Sequence, residues 1–333
     1  MIYIVNKSTK PDYNIALEEY CFKNLTHHDK VFILWINEPA IIVGKNQNTL
    51  EEINADYVKE NGIHVVRRIS GGGAVYHDHN NLNYTIISNE DKGEDFDFET
   101  FSQPVIDTLG DLGVKAEFTG RNDLVIDGKK ICGNAQAYIK GRIMHHGCLL
   151  FDTDLTVLSK ALEQPKDIVE SRSVKSVRSL VDNILPNLPD KITVDEFSNK
   201  LLEHMKTKFP EMVEYKFTDR ELEEIEALRA SKFGTWDWNY GNSPKYAIDR
   251  QSRYKAGKIQ VLADIKNSLI QQIRFYGTFF GNNSNLNEVE EALAGVKYTS
   301  DDVRVALSAL NYNDYFAGFS LDELVEAIVV SNR

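Results

Sequence analysis

Three consecutive glycines follow an apolar stretch and an arginine pair in residues 67–78, which read Arg-Arg-Ile-Ser-Gly-Gly-Gly-Ala-Val-Tyr-His-Asp. Glycine has no side chain to pack, and it costs a strand roughly 0.5–1 kcal/mol per position relative to alanine. A run of three therefore predicts that another backbone or a ligand passes very close. The alternative is a glycine-rich bulge that only lets two strands cross. The adjacent guanidinium groups of Arg67 and Arg68 favour an anionic ligand, a phosphate or a carboxylate, held by bidentate hydrogen bonds.

The glycine run does not match the familiar phosphate-binding motifs. No segment has the pattern G-x-x-x-x-G-K-[ST] of a P-loop. The run lacks the third glycine of the dinucleotide fingerprint, and strand-like residues 74–76 follow it where that fingerprint requires a helix. Ser70 does not lie in a G-x-S-x-G elbow, which argues against the usual hydrolase.

The size and charge of the chain limit what it can be. A chain of 333 residues exceeds the roughly 250–300 residues of a single core, so we expect two domains, 1–244 and 245–333, divided at the turn-rich residues 241–244. The net charge of −12 argues against a nucleic-acid partner. There is no apolar run of the ~18 residues that a membrane span needs, and no secretory signal is visible. Three cysteines without C-x-x-C spacing favour reduced thiols, so we predict a cytoplasmic protein without a membrane partner.

Hydrophobic periodicity predicts a mixed α/β (α+β) fold. An amphipathic helix is expected over residues 12–25, with Glu18 and Glu19 opposite its apolar side. Strands are predicted at 31–36, 40–44, 63–69 and 82–88, a helix at 98–112, helices through most of 155–233, strands around an Ala256-Gly257 turn, and helices at 286–295, 300–310 and 321–330. Asp127-Gly128 and Lys140-Gly141 predict two hairpins.

A second group of polar residues lies around the first hairpin. Lys130 precedes Ile-Cys-Gly on a predicted strand, where it is either a partly buried cation or a solvated edge residue. His145 and His146 are adjacent and must point to opposite sides of a strand, so we expect one structural and one pocket-lining histidine and no metal site built from side chains. Cys132 and Cys148 lie in apolar strands that favour structural thiols, with nucleophilic catalysis as the alternative.

Taken together, these motifs resemble, in order and spacing, the lipoate–protein ligase A family. The matching segments are residues 67–78, Gly-Arg-Asn-Asp at 120–123, Lys-x-x-Gly-x-Ala at 130–135, His-His-Gly at 145–147, Ser-Val-Arg-Ser at 176–179 and Trp-x-Trp-Asn-Tyr-Gly at 236–241. The resemblance implies a mixed-sheet catalytic domain of the biotin and lipoate ligase type with flanking helices, plus a small α+β C-terminal accessory domain. It also implies that lipoate and ATP give lipoyl-AMP, from which the lipoyl group passes to a lysine of an apo lipoyl domain. The implied acceptors are E2 subunits of 2-oxoacid dehydrogenases and the glycine cleavage H protein.

The resemblance further implies roles for individual residues. Those implied to bind ATP are Arg68, Gly73, Ala74, Val75, Tyr76, Asn81 and Lys130, and those implied to bind lipoate are Gly72, Val75, Lys130 and His146. Lys130 is the implied catalytic residue, in contact with both the lipoate carboxylate and the α-phosphate, while Mg²⁺ bridges the phosphates. Asp123 is a candidate base for the transfer step. Cys132 and Asn134 stand where family members often carry serine.

Two alternative functions remain open at this point. An octanoyl or lipoyl transferase of the same fold moves its acyl group through a cysteine thioester without ATP, and its cysteine lies upstream of the Lys-x-x-Gly segment. No cysteine occurs between Cys21 and Cys132, which favours the ligase. A non-catalytic lipoate-binding protein is the other alternative, and the presence of both Arg68 and Lys130 argues against it.

Overall fold

The computed structural model describes the chain except for residues 48, 90–96, 120–121, 163–179, 241–247, 267, 284 and 330–333. The strands are β1 (Ile2–Val5), β2 (Lys30–Trp35), β3 (Ala40–Val43), β4 (His64–Arg67), β5 (Val75–His77), β6 (Asn81–Asn89), β7 (Glu117–Thr119), β8 (Asp123–Ile126), β9 (Lys129–Ile139), β10 (Arg142–Leu150), β11 (Val213–Glu214), β12 (Ile248–Tyr254), β13 (Gly257–Lys266) and β14 (Leu269–Gly277). The helices are α1 (Pro11–Asn24), α2 (Thr49–Glu52), α3 (Ala55–Glu60), α4 (Phe98–Asp111), α5 (Leu155–Ala161), α6 (Val194–Lys208), α7 (Asp219–Leu228), α8 (Trp236–Asn239), α9 (Asn287–Leu293), α10 (Ser300–Ser308) and α11 (Leu321–Ile328). A π-helical turn, Arg229–Phe233, continues α7.

An eight-stranded mixed sheet forms the centre of the larger part of the molecule. Its strand order is β11-β1-β2-β6-β10-β9-β8-β7, with β1 parallel to both β2 and β11 and the other pairs antiparallel. Every residue of β10 is buried, because helices cover both faces of the sheet. One face packs on α4 and α6, and the other packs on α1 and the π-helical turn. This arrangement confirms the predicted mixed α/β fold.

Both predicted hairpins of this sheet are present. Asp127 and Gly128 have φ values of 48° and 76°, and Lys140 and Gly141 have φ values of 47° and 79°. Two successive positive φ values are typical of the type I′ turn, whose twist matches that of the flanking strands. The two turns fold β8, β9 and β10 into a continuous antiparallel meander.

The glycine run belongs to a second, smaller sheet, whose strand order is β4-β3-β5. It forms the connection between β4 and β5, so it is a loop between two strands and not a bulge within one. Helices α3 and α5 contribute to the apolar cluster behind this sheet. The small sheet thereby holds the glycine loop over the face of the main sheet that carries α1.

The C-terminal part has a core of its own. Strands β12, β13 and β14 form an antiparallel sheet, and α9, α10 and α11 pack against it. The predicted strands and three helices of this part are confirmed, although the turn lies at Lys255-Ala256, one residue earlier than expected. The predicted boundary at 244/245 falls outside the described residues and stays a prediction.

The described residues of 155–233 are mostly helical, as predicted, although β11 interrupts the helices and pairs with β1 at the edge of the main sheet. One other expectation from periodicity was wrong. Glu18 and Glu19 are not on an exposed side of α1, since their exposed fractions are 1% and 2%. Helix α1 is enclosed on several sides, and both carboxylates have specific partners inside the protein.

No helix in the described part of the chain is long and apolar enough to cross a membrane.

Candidate active site

Lys130 is fixed at the start of β9 by neighbours on both sides. Its N–H donates to the carbonyl of Leu180 at 2.7 Å, and its carbonyl accepts from the N–H of Asp182 at 2.9 Å. Its Nζ lies 2.7 Å from Oδ1 of Asp123 on β8, and its side chain is 25% exposed. Of the two sequence interpretations, a partly buried, ion-paired cation is therefore the one observed.

Gly133 explains the spacing Lys-x-x-Gly. A Cβ atom built at Gly133 would lie 3.0 Å from Nζ and 3.1 Å from Cε of Lys130. A register shift between Leu124 and Val125 lets the lysine side chain fold back over the strand to this position. Glycine at 133 thus leaves the room in which the ammonium group of Lys130 lies.

Arg68 holds the glycine loop in shape. Its guanidinium group donates to Oγ of Ser70 at 2.9 Å and to the carbonyls of Ile42, Gly71 and Gly73 at 3.0, 2.6 and 2.9 Å. Burial lowers its pKa to about 10. In this conformation the group binds the loop that would contact a ligand, and does not itself face an open anion site.

Arg67 has a comparable structural role. Its guanidinium group donates to the carbonyls of Gly44, Lys45 and Gln47 and to Oγ1 of Thr49, and its Nε donates to the carbonyl of Trp238. Most donors of the pair are thus satisfied by protein oxygens, so the expectation that both guanidinium groups receive an anion does not fit this arrangement. The physical reason is that backbone carbonyls of residues 44–47 and of the glycine loop accept the hydrogen bonds that an anion would otherwise accept.

Two of the three glycines are required by neighbouring protein atoms. A Cβ at Gly71 would lie 2.3 Å from the carbonyl oxygen of Phe279 in the C-terminal part. Gly72 has a φ of +92°, and a Cβ atom there would lie 2.9 Å from the guanidinium group of Arg68. A Cβ atom at Gly44 would lie 2.0 Å from the carbonyl oxygen of Gly72. At Gly73 the nearest atom is 3.9 Å away, in the side chain of Thr278. Close approach of a second backbone is therefore observed at Gly71 and Gly72, while Gly73 faces open space.

The N–H groups of Gly71, Gly72 and Gly73 have no hydrogen-bond acceptor among the described residues. Successive free amides in a tight loop form a concavity that favours anions. This loop therefore offers, through its backbone, the anion-binding capacity that the sequence attributed to the arginines.

A buried chain of hydrogen bonds connects the glycine loop to α1. Nε2 of His146 lies 2.7 Å from Oγ of Ser70, and Nδ1 lies 2.7 Å from Oε1 of Glu18. The same Glu18 oxygen accepts from Oγ1 of Thr85 at 2.6 Å. With Nδ1 protonated, His146 donates to Glu18 and accepts from Ser70, which leaves the Ser70 oxygen to accept from Arg68.

His145 points to the other face of the sheet, as predicted for adjacent residues of a strand. Its Nδ1 lies 2.9 Å from Nε2 of Gln136 and its Nε2 lies 3.1 Å from the hydroxyl of Tyr84. Burial holds its pKa well below the usual value. His145 is thus the structural histidine, and His146 is the one connected to the glycine loop.

Other predicted ligand-binding residues are placed around the loop with different exposures. Gly73 is exposed, and Ala74 and Val75 are half-buried. Tyr76 is buried, and burial raises its pKa to about 12. Asn81 is fully buried, and its amide accepts from the N–H of Asp78 and donates to Sγ of Cys148. Tyr76 and Asn81 are therefore more deeply buried than residues 73–75 and would form the back wall of the site.

The two candidate nucleophilic cysteines are buried thiols. Burial raises the pKa of Cys148 to about 12 and that of Cys132 well above its usual value. Cys148 pairs with Gly133, at which Nζ of Lys130 lies. His146, two residues before Cys148 on the same face of β10, contacts Ser70 beside the glycine loop. The fold thus brings Lys130 and the Arg68-supported loop to one face of the sheet.

Several parts of the candidate site could not be anticipated. Sequence reasoning missed Glu18, because an apolar helix pattern gives no signal for a buried carboxylate, and it missed the contact of Phe279 with the glycine loop. Residues Gly120 and Arg121 and the segment 176–179 of the matched motifs lie outside the described residues.

We predict that Gly44→Ala destabilises the protein whereas Gly73→Ala does not. The alanine at 44 must displace the backbone of Gly72, which by analogy with overpacked cores costs about 1–3 kcal/mol of unfolding free energy. The methyl group at 73 meets open space, so the change should stay within about 0.5 kcal/mol. Urea unfolding of both variants checks this, and equal stability of the two would contradict the close approach.

We also predict a loss of stability in mild acid that depends on His77. Burial, with the nearby charges of Arg68 and His146, lowers its pKa to about 3 from the ordinary 6.5. The unfolded chain therefore binds a proton that the folded protein does not between those values. Unfolding free energy should fall by about 2 kcal/mol from pH 7 to pH 5 on account of this residue. The fall should be smaller in His77→Gln, and an identical fall in both proteins, measured by urea unfolding, would contradict it.

Comparison with known proteins agrees with this geometry over nearly the whole chain. Residues 10–206 match the lipoyl protein ligase A/B catalytic domain, and residues 243–328 match the bacterial lipoate protein ligase C-terminus. Lipoate-protein ligase LplJ of Bacillus subtilis is 42% identical over 331 residues, which is 98% of this chain and 100% of that protein.

Solved structures show the same fold. P. falciparum LipL1, crystallised in complex with lipoate, superposes with a TM-score of 0.84 at 23% identity, covering 99% of each chain. A lipoate-protein ligase A bound with ATP gives 0.62 at 27% identity, covering 72% of this chain and 98% of the other. A bipartite lipoate protein ligase of Thermoplasma acidophilum, studied with its E2 lipoyl domain, gives 0.63 at 28% identity, covering 74% and 98%. The chain belongs to the lipoate–protein ligase family.

Proposed function

We propose that this enzyme activates lipoate with ATP to lipoyl-AMP and pyrophosphate, and then transfers the lipoyl group to a lysine of an apo lipoyl domain. The observation that carries the proposal is the pairing, on one sheet face, of the Lys130 ammonium with a glycine loop whose N–H groups at residues 71–73 have no acceptor in the described part of the chain. A cation and a row of amide donors suit a reaction between two anions. The ATP-bound structure of a similar ligase supports ATP as the nucleotide substrate.

Lys130 would reduce the repulsion between the reacting groups. A carboxylate and a phosphate oxygen 4 Å apart repel by roughly 4 kcal/mol at an effective dielectric constant near 20. The ammonium of Lys130 would contact both, and Asp123 would hold it in place before substrates arrive. Charge that develops on the phosphate would be stabilised by donors already in position. Asp123 stays our candidate base for deprotonating the acceptor lysine.

The glycine loop would supply the nucleotide contacts. Gly73, Ala74 and the amides of the loop would face the phosphate and ribose, with Arg68 acting through the carbonyls it binds. Tyr76 and Asn81 would define the wall behind them.

The lipoyl tail would lie between the glycine loop and the sheet. Gly133 and Ala135 face this side opposite Cys148 and His146, and such small residues leave depth for a ligand. Val75 packs with an apolar cluster that includes Trp35 and Ala137, which suits an alkyl chain. Gly72 and His146 would border the slot.

Mg²⁺ is proposed to be held through the phosphates of ATP. Within the described ranges no three His, Cys, Asp or Glu side chains are grouped so as to hold a metal ion, so the protein would contribute few ligands of its own. The ion would supply neutralisation of phosphate charge.

The proposed acceptors are lipoyl domains of E2 subunits of 2-oxoacid dehydrogenases and of the glycine cleavage H protein. The similar Thermoplasma ligase, studied with its E2 lipoyl domain, supports the first of these. A division into a catalytic domain of residues 1–244 and an accessory domain, and a cytoplasmic location, complete the proposal.

The transferase alternative is disfavoured by the state of the thiols. A thioester requires a thiolate, and burial raises the pKa of both Cys132 and Cys148. Cys21 is also fully buried, and its pKa is raised.

We predict that Lys130→Ala lowers lipoate-dependent exchange between ATP and labelled pyrophosphate by at least about a hundredfold, as expected for loss of a preorganised charge. Lys129→Ala is the matched control, since Lys129 is the adjacent residue and pairs with Asp182 at 2.9 Å, away from the site. It should stay within about threefold of wild type. Full exchange activity in a folded Lys130→Ala protein would refute the assignment of Lys130.

We predict that replacing Cys132 and Cys148 together with serine leaves substantial ligation. The measurement is the mass of an apo lipoyl domain after incubation with enzyme, ATP, Mg²⁺ and lipoate. Circular dichroism establishes that the variant folds. A folded double variant without any ligation would restore the thioester mechanism.

A further inference from the structure

A second cationic site lies beside the glycine loop. We call it the lysine cleft, a depression of about 80 Å³ that is lined by Lys23, Lys45 and Lys232 together with Glu19. Residues 69–71 of the glycine loop form one wall and residues 136–139 of β9 form another. Lys130 is not part of this lining, and its Nζ lies at Gly133, three residues before this part of β9, which corresponds to roughly 10 Å along an extended strand. The lysine cleft is therefore distinct from the position of the catalytic lysine.

The charges within the lysine cleft do not balance. Glu19 is 2% exposed and already has two partners, Lys23 at 2.5 Å and Lys232 at 2.6 Å. Lys232 also lies 4.1 Å from the ring centroid of Trp238. Three lysines and one glutamate leave a net charge of +2 in a chain whose net charge is −12.

Lys45 is the lysine of this group that lacks a negatively charged partner among the described residues. Within the described part of the chain its ammonium group has no hydrogen-bond or ion-pair partner. Burial, followed by the charge of Lys232, lowers its pKa to about 8. Its backbone is fixed, because its N–H donates to the carbonyl of Ser70 and its carbonyl accepts from Arg67. The side chain is thus held in the cleft without a counter-ion.

The wall of the lysine cleft adds neutral donors to these cations. Gly71 contributes an N–H group that has no acceptor among the described residues, and Asn46 contributes an amide side chain. The amide nitrogen of Gln136 is already engaged, because it donates to the carbonyl of Asp97 and lies 2.9 Å from Nδ1 of His145. Ammonium groups and amides around one space are typical of sites for tetrahedral oxyanions, which accept several hydrogen bonds at once.

We propose that the lysine cleft binds a phosphate-type anion of two or more charges, with Lys45 as its central contact. The anion can come from inorganic phosphate or from inorganic pyrophosphate. Pyrophosphate is the better match, since it carries more negative charge than phosphate and pairs more strongly with the local charge of +2. The physiological source of pyrophosphate rests on the proposed function, but binding of the anion does not.

The test measures binding of pyrophosphate and, separately, of phosphate by calorimetry to the full-length protein without ATP or lipoate. Lys45→Met should weaken pyrophosphate binding at least tenfold, and Lys45→Arg should keep it within about threefold. Lys59→Met, a change of an exposed lysine on α3, is the matched control and should behave as wild type. Pyrophosphate should bind more tightly than phosphate.

A residue-level measurement does not depend on any variant. Acetic anhydride modifies neutral amines, so Lys45 of the wild-type protein should be acetylated at pH 8, and pyrophosphate should protect it while leaving Lys59 unaffected. Protection by a polyglutamate peptide and not by pyrophosphate would overturn the proposal. Unchanged affinity in Lys45→Met would also overturn it.

Lys130→Ala separates this proposal from the proposed function. It should leave pyrophosphate binding in the lysine cleft within about threefold. If Lys130→Ala abolishes pyrophosphate binding and Lys45→Met does not, the anion binds at the catalytic lysine and the lysine cleft is not its site. If the wild-type protein shows no lipoate-dependent exchange while Lys45→Met loses pyrophosphate binding, the proposed function fails and this inference stands.

Discussion

The buried guanidinium group of Arg68 is the interaction on which the candidate site depends. It binds one carbonyl of β3, two carbonyls of the glycine loop and the hydroxyl of Ser70, and so fixes a loop that has few side chains of its own to pack. Hydrogen bonds to a charged group contribute about 1.5–3 kcal/mol each, and the cost of leaving these acceptors unpaired would be similar. A rigid loop is thus obtained by placing a charge beneath it.

A charge that is only 5% exposed needs compensation, and Glu18 provides it. The carboxylate acts at a distance through His146 and Ser70, so α1, β10 and the glycine loop form one connected polar unit inside an apolar core. Burial, and after it the same positive charge, lowers the pKa of His77 to about 3 and keeps this residue neutral. Electrostatics therefore couples residues that are far apart in sequence, and a pattern of hydrophobic residues cannot reveal such coupling.

Sequence reasoning predicted what depends on local conformation. The hairpins followed from Asp127-Gly128 and Lys140-Gly141, whose positive φ values few other residue pairs adopt readily. The partly buried Lys130 beside Gly133 could be proposed because strand alternation is local. Glu18, the partners of Arg67 and the short edge strand β11 could not, since each depends on which distant segment packs nearby. An arginine pair that binds backbone carbonyls has the same sequence as one that binds a phosphate.

The three glycines that dominate the sequence have three separate causes. Glycine is required at 71 by the nearby carbonyl of Phe279, so this position depends on how the C-terminal part packs against the loop. Glycine is required at 72 by its positive φ and by close contacts with Arg68 and Gly44, so this position depends on the internal structure of the loop. Protein atoms constrain Gly73 least, and it is also the exposed one. A single motif thus combines a contact with the C-terminal part, a backbone conformation and, at its last position, the space in which a ligand would lie.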